Sequence, residues 1–144
     1  PRDVRERIES AYLPLLPESR QVIAMVQGEG GTGKSWVIAA INEFAAGWGI
    51  QGSVVTAATS GIAACLVNGM TWYKCFGIGI KYNNPEPNDK VKTAFQGVTM
   101  MIVDEISLAT CGGLGVLDNR LRLAKNNNAP FGGVHMFFVG DFFQ

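Results

Sequence analysis

The sequence predicts an α/β domain in which a parallel sheet carries helices on both faces. Four short apolar runs recur along the 144 residues, each bounded by turn residues in the manner of buried strands. Segments with helical spacing separate them, and alternating strands and helices build parallel sheets. The unusual polar residues follow the ends of the apolar runs, and sheets of this kind bind ligands at the carboxyl ends of their strands.

Taken in order, residues 2–12 mix charge with Val4, Ile8 and Leu13 at helical spacing, a short surface helix that Pro14 and Pro17 end. Gln21 to Val26 is short and apolar, a buried strand. After a glycine loop, Lys34 to Trp48 repeats apolar residues at Val37, Ile41, Phe44 and Trp48, and Gly47 and Gly49 close the helix. On this spacing Trp36, Phe44 and Trp48 belong to the core. Ser53 to Ala57 reads as a second strand and Gly61 to Val67 as a short helix. Gly77 to Asp89, rich in Asn, Pro and Gly, is a long surface loop. Thr99 to Val103 is a third buried strand that stops on Asp104 and Glu105. The stretch from Ser107 to Lys125 is helical from Leu114 through Leu123, with Arg120 and Arg122 expected to face solvent. Asn126 to Gly133 is a loop, and Val134 to Val139 a fourth strand.

Composition bounds the function. Hydrophobic residues make up 47% and charged residues 17%, the balance of a packed protein rather than a disordered one. Twelve basic residues offset twelve acidic ones, so any grip on nucleic acid must be local. Cys65, Cys75 and Cys111 have no metal-ligand spacing and read as free thiols in a reducing compartment. The apolar runs fall short of the ~20 residues that cross a bilayer, so no membrane partner is expected. The chain begins on Pro1 and ends on Gln144 within a motif, so the expectation is one domain, 1–144, incomplete at both ends.

Gly28-Glu29-Gly30-Gly31-Thr32-Gly33-Lys34-Ser35 fits the phosphate-loop pattern G-x-x-x-x-G-K-S/T. Glycines let successive N–H groups turn inward onto a phosphate, and the following helix aims its positive end at the same anion. Lys34 reaches the outer phosphates, and the Ser35 hydroxyl suits Mg²⁺. Asp104 and Glu105, at the end of an apolar strand, are the matching carboxylates: Asp104 for the metal, Glu105 to polarise the attacking water. The second acid points to hydrolysis of ATP. A GTPase would carry an Asn-Lys-x-Asp base-reading motif, which this sequence lacks. The last strand delivers Gly140, Asp141 and Gln144 to the same edge; an amide there can sense the γ-phosphate, whereas Gly-Asp alone reads as a turn.

The order G-x-G-G-T-G-K-S, T-S-G-I-A-A, I-V-D-E-I-S, then F-G-G and G-D-F-F-Q over residues 21–144 resembles the Pif-one-like 5′-to-3′ DNA helicases, which include the helicase parts of Helitron-type elements. The resemblance implies a RecA-like first motor domain that binds ATP and Mg²⁺, with Lys34, Glu105 and Gln144 as catalytic residues and Ser35 and Asp104 on the metal. It also implies single-stranded and forked DNA as partners. Thr59, Ser60, Gly61, Tyr73 and Lys74 would make contact with the strand, through backbone amides at a helix start and through stacking and phosphate pairing. A second RecA-like domain of the same parent would donate an arginine. Roles in DNA repair, recombination and telomere maintenance, and a nuclear or mitochondrial location, come from the resemblance alone. This chain departs from the family at Glu29, where Pro is frequent, and at Thr71-Trp72-Tyr73-Lys74, where Thr-Ile-His-Ser is usual; the family's Gln-containing adenine-reading motif is not evident. Two other readings stay open: a different phosphate-loop ATPase, or a mobile-element relic that only binds nucleotide.

Overall fold

The computed structural model of the chain describes residues 21–77 and 87–143. The helix expected over 2–12, most of the loop expected over 77–89, and Gln144 lie outside the described residues. Among those described, five strands pair in parallel throughout: β1 (Ile23–Gln27), β2 (Val54–Ala58), β3 (Met70–Thr71), β4 (Met100–Asp104) and β5 (His135–Gly140), in the spatial order β1-β5-β4-β2-β3. The helices are α1 (Lys34–Gly47), α2 (Gly61–Leu66), α3 (Trp72–Cys75), α4 (Asp89–Gln96) and α5 (Cys111–Lys125).

Strand β4 shows why the sequence needs no polar alternation at the centre of such a sheet. Met101 and Val103 join the core on one face, and Ile102 the core on the other, because successive side chains point to opposite faces. On the first face, Trp72, Phe95, Leu117 and Leu121 pack against Met101, Val103 and Met136, with Phe76 stacked on Phe95 at 4.6 Å. On the second, Ile38 of α1 packs with Val67, Ile102 and Val139.

Four of the helices begin on a capping side chain, each contributing about 1 kcal/mol. Ser60, Thr71, Asn88 and Thr110 accept the N–H groups of Ala63, Lys74, Val91 and Gly113. Thr110 starts α5 at Cys111, ahead of the expected Leu114 and in spite of three early glycines. One of these has a packing reason: a Cβ on Gly113 would stand 3.2 Å from the Trp72 ring. The bulky residue that departs from the family pattern at position 72 therefore sits over a glycine. At the other end of α5, Lys125 donates to the carbonyls of Phe95, Gln96 and Val98 and ties α5 to the end of α4.

Several expectations need correction. The strands start one or two residues later than the apolar runs suggest. Strand β1 is an edge strand, with Ile23 and Met25 each 49% exposed rather than buried. The inward stripe of α1 runs through Ile38 and Ala45, about one residue round from the expected one, so Trp36 and Phe44 are 81% and 60% exposed. Arg120 is buried, on the same stripe as Leu117, Leu121 and Ala124. Arg122 is half-buried, paired with Asp118 at 2.8 Å and donating to the Asn128 carbonyl. The free thiols also differ: Cys65 and Cys111 are exposed, while burial pushes the Cys75 thiol up to about 12.

Candidate nucleotide site

The loop between β1 and α1 is shaped by contacts within eight residues. Gly31 (φ 77°) and Gly33 (φ 94°) occupy the left-handed region that side chains disfavour. A Cβ on Gly28 would stand 2.6 Å from Thr32 Oγ1, so the loop closes on itself there. The Thr32 N–H and hydroxyl both donate to the Glu29 carbonyl, at 3.3 and 2.8 Å. Lys34 folds back, its Nζ donating to the carbonyls of Gly28 (2.5 Å) and Glu29 (2.9 Å).

This cradle fits a chain of phosphates. No side chain caps α1, whose N-cap is Gly33, so the amides of its first turn are donors for an anion. Among the described residues, nothing comes within 4 Å of a Cβ placed on Gly31 or Gly33. Ser35 follows on the first turn with an exposed side chain.

The carboxylates arrive from the next-but-one strand. Asp104 ends β4 and is 7% exposed. Burial pushes its carboxyl above the usual carboxylate range, opposed by the Glu105 N–H that it accepts and by the nearby Lys34 ammonium. Asp104 therefore lies within electrostatic reach of Lys34, with β5 between their strands. Glu105 is half-buried and has left-handed backbone angles (φ 54°, ψ 40°), rare for a residue with a side chain. The Gly28 N–H donates to the Gly140 carbonyl, which joins the loop to the end of β5. A Cβ on Gly140 would meet Ile106 Cγ2 at 3.0 Å and the Ser107 nitrogen at 3.2 Å, so β5 ends directly against the turn after Glu105. Asp141 is buried, and its carboxylate closes a turn by accepting the Phe143 N–H at 2.9 Å.

The expected DNA-contact residues fall in two places. Thr59, Ser60 and Gly61 follow β2, the neighbour of β4, so they lie beside the carboxylates. Ser60 is occupied as the α2 cap, and among the described residues nothing lies within 4 Å of a Cβ on Gly61, so no described neighbour requires a glycine there. Tyr73 and Lys74 lie on α3, after the edge strand β3; Lys74 is exposed, and the Tyr73 ring meets Trp72 edge-on at 5.6 Å. Sequence reasoning placed Thr59 among the DNA contacts and missed its bonds to the carboxylate turn. The Thr59 N–H donates to the Asp104 carbonyl (3.3 Å) and its hydroxyl to the Glu105 carbonyl (3.0 Å). Only the pairing of β2 with β4, Ala58 opposite Asp104, brings them together.

Comparison with known proteins agrees with this geometry. A family model described as "PIF1-like helicase" matches residues 6–144. The ATP-dependent DNA helicase PIF1 of Saccharomyces cerevisiae (strain YJM789) is 34% identical over 125 residues, 81% of this chain and 14% of that protein. RRM3 of Saccharomyces cerevisiae, also named an ATP-dependent DNA helicase, is 34% identical over 160 residues, 98% of this chain and 22% of that protein. Among solved structures, the Pif1 helicase from Bacteroides in complex with ADP-AlF3 and ssDNA has a TM-score of 0.74 at 27% identity, over 96% of this chain and 32% of that one. The Pif1 helicase from Candida albicans has a TM-score of 0.72 at 29% identity, over 97% and 32%. The chain spans only 14% to 22% of the length of these curated relatives.

Proposed function

This chain belongs to the PIF1-like helicase family, and on that premise we propose that it is the ATP-binding first motor domain of an ATP-dependent DNA helicase. The observation that carries the reading is the meeting of the 28–35 cradle with Asp104 and Glu105 at the carboxyl ends of β1 and β4, the two strands that flank β5, with Lys34 within electrostatic reach of Asp104. The Gly31–Ser35 amides and the Lys34 ammonium hold the phosphates, and Lys34 must leave the carbonyls of Gly28 and Glu29 to do so. Ser35 and Asp104 are the residues that would hold Mg²⁺, which supplies neutralising charge to the phosphates when bound. Glu105 takes a proton from the attacking water. Gln144 is assigned to the γ-phosphate on its motif.

The substrate track follows from relatives described as bound to ssDNA and acting at forked dsDNA. We assign this chain the same partners, with Ser60, Gly61, Tyr73 and Lys74 as contacts. The second motor domain of the parent supplies an arginine to the γ-phosphate, because neither Arg120, buried, nor Arg122, paired with Asp118, is available for that role. DNA repair, recombination and telomere maintenance, in a reducing compartment such as the nucleus, are the processes this activity would serve. The test is phosphate release by the intact parent protein with and without single-stranded DNA. Stimulated release supports the reading; nucleotide binding with no release in either condition would overturn it in favour of a nucleotide-binding relic.

A further inference from the structure

Glu105 presents a physical problem that its motif does not explain. A residue with a side chain in the left-handed region is strained by about 1–2 kcal/mol, and such strain persists only where neighbours over-determine the conformation. Three contacts do so here. The Glu105 N–H is held by the Asp104 carboxylate at 2.9 Å. Its carbonyl accepts the Leu108 N–H at 3.0 Å and the Thr59 hydroxyl at 3.0 Å. The first two are local to the turn. The third comes from the end of β2, forty-six residues away in sequence, and the same residue holds the Asp104 carbonyl through its N–H. Thr59 therefore spans both carbonyls of the carboxylate pair from outside their own strand.

We propose that Thr59 is a positioning residue for hydrolysis: its hydroxyl fixes the Glu105 backbone, and so the carboxylate that activates water, rather than serving as a ligand for the DNA strand. The proposal rests on the helicase reading and deepens it. Thr59 is joined directly to Ser60, and through it to Gly61, so a strand held at those residues bears on the Glu105 carbonyl through a single side chain. DNA occupancy and water activation then share one lever.

The experiment uses the intact parent protein and compares Thr59→Val, which keeps the shape and loses the donor, with Thr59→Ser, which keeps the donor. Three quantities are read: kcat at saturating single-stranded DNA, the KM for ATP, and the Kd for the strand by fluorescence anisotropy. Expected for the Val variant is a kcat lower by about tenfold, the scale of one lost hydrogen bond, with KM and Kd within about twofold. The Ser variant should restore most of the rate. Wild-type kcat in the Val variant would overturn the proposal. A weakened Kd with normal kcat at saturation would also overturn it, making Thr59 a strand ligand. Failure of Ser to rescue, or loss of folding in both Val and Ala variants, would overturn it in favour of a packing role. An unmodified parent whose hydrolysis ignores DNA would overturn the helicase reading along with the proposal; a stimulated parent with an unaffected Val variant overturns the Thr59 assignment alone.

Discussion

The phosphate loop and the carboxylate turn lie at the same edge of the sheet, yet they are built in opposite ways. In the loop, the shaping contacts lie within residues 28–35 apart from the one Gly28–Gly140 hydrogen bond: two left-handed glycines, the closure of Gly28 on Thr32, and Lys34 folded over the carbonyls of Gly28 and Glu29. The turn at Asp104 and Glu105 depends on distant partners, Thr59 from β2 and Gly140 from β5. A locally closed motif carries its geometry wherever the fold places it. A turn held from elsewhere reports what happens to its neighbours, which is what the proposed coupling of hydrolysis to DNA requires.

Substitutions within the two regions should therefore fail differently. Lys34→Ala has the largest expected effect, loss of nucleotide binding, because the loop has no other side-chain cation to meet the outer phosphates. Titration with a fluorescent ATP analogue checks it, and retained wild-type affinity would show that the backbone cradle suffices. Glu105→Gln should leave binding intact and lower DNA-stimulated turnover by about a hundredfold or more, since the amide keeps the shape but cannot take a proton. Turnover within about twofold of wild type would remove Glu105 from the chemistry and the turn from the comparison.

A smaller effect probes the remote support itself. Gly140→Ala places a methyl 3.0–3.3 Å from Ile106 and Ser107, so the turn must give by a few tenths of an ångström. Turnover should fall several-fold with ATP affinity nearly unchanged. An equal loss of affinity would mean that the strain travels instead through the Gly28–Gly140 hydrogen bond into the loop.

This contrast also explains what the sequence could and could not reveal. Gly28 to Ser35 was legible because spacing alone determines its form, and the four main strands because apolar runs of that length have few other uses. Asp104 and Glu105 were legible as residues, but their geometry was not. The bond from Thr59 follows from the β2–β4 register, which no local pattern encodes. The face of α1 was misread because apolar residues occur all round it, so Val37 and Phe44 fit a stripe as well as Ile38 and Ala45 do. Helix α4 was missed because only Val91 and Phe95 among its eight residues are buried apolar anchors. Two-residue β3 has no period to detect; it exists because Ala57 and Ala58 offer it an edge.

The smallest expected effect concerns stability, and it runs against function. Burial raises the folded-state carboxyl of Asp104 above its unfolded value. A group raised in this way favours folding while protonated. That contribution is fully present below the ordinary Asp range of about 3.9 and is lost as pH rises through the higher folded value. At neutral pH the metal-free, nucleotide-free protein therefore holds a buried ionised carboxylate at a cost, lessened by the Glu105 N–H and the Lys34 ammonium. Asp104→Asn keeps an oxygen to accept that N–H and removes the charge. The variant should melt at a higher temperature than wild type at neutral pH, and the gap should narrow as pH falls toward the carboxylate range, even though hydrolysis is lost. Scanning calorimetry of both proteins at about pH 7 and about pH 5 decides it. A variant less stable than wild type at neutral pH would mean that the Lys34 attraction outweighs burial. The carboxylate would then be a structural partner of the loop, and the two regions would be less independent than their contacts imply.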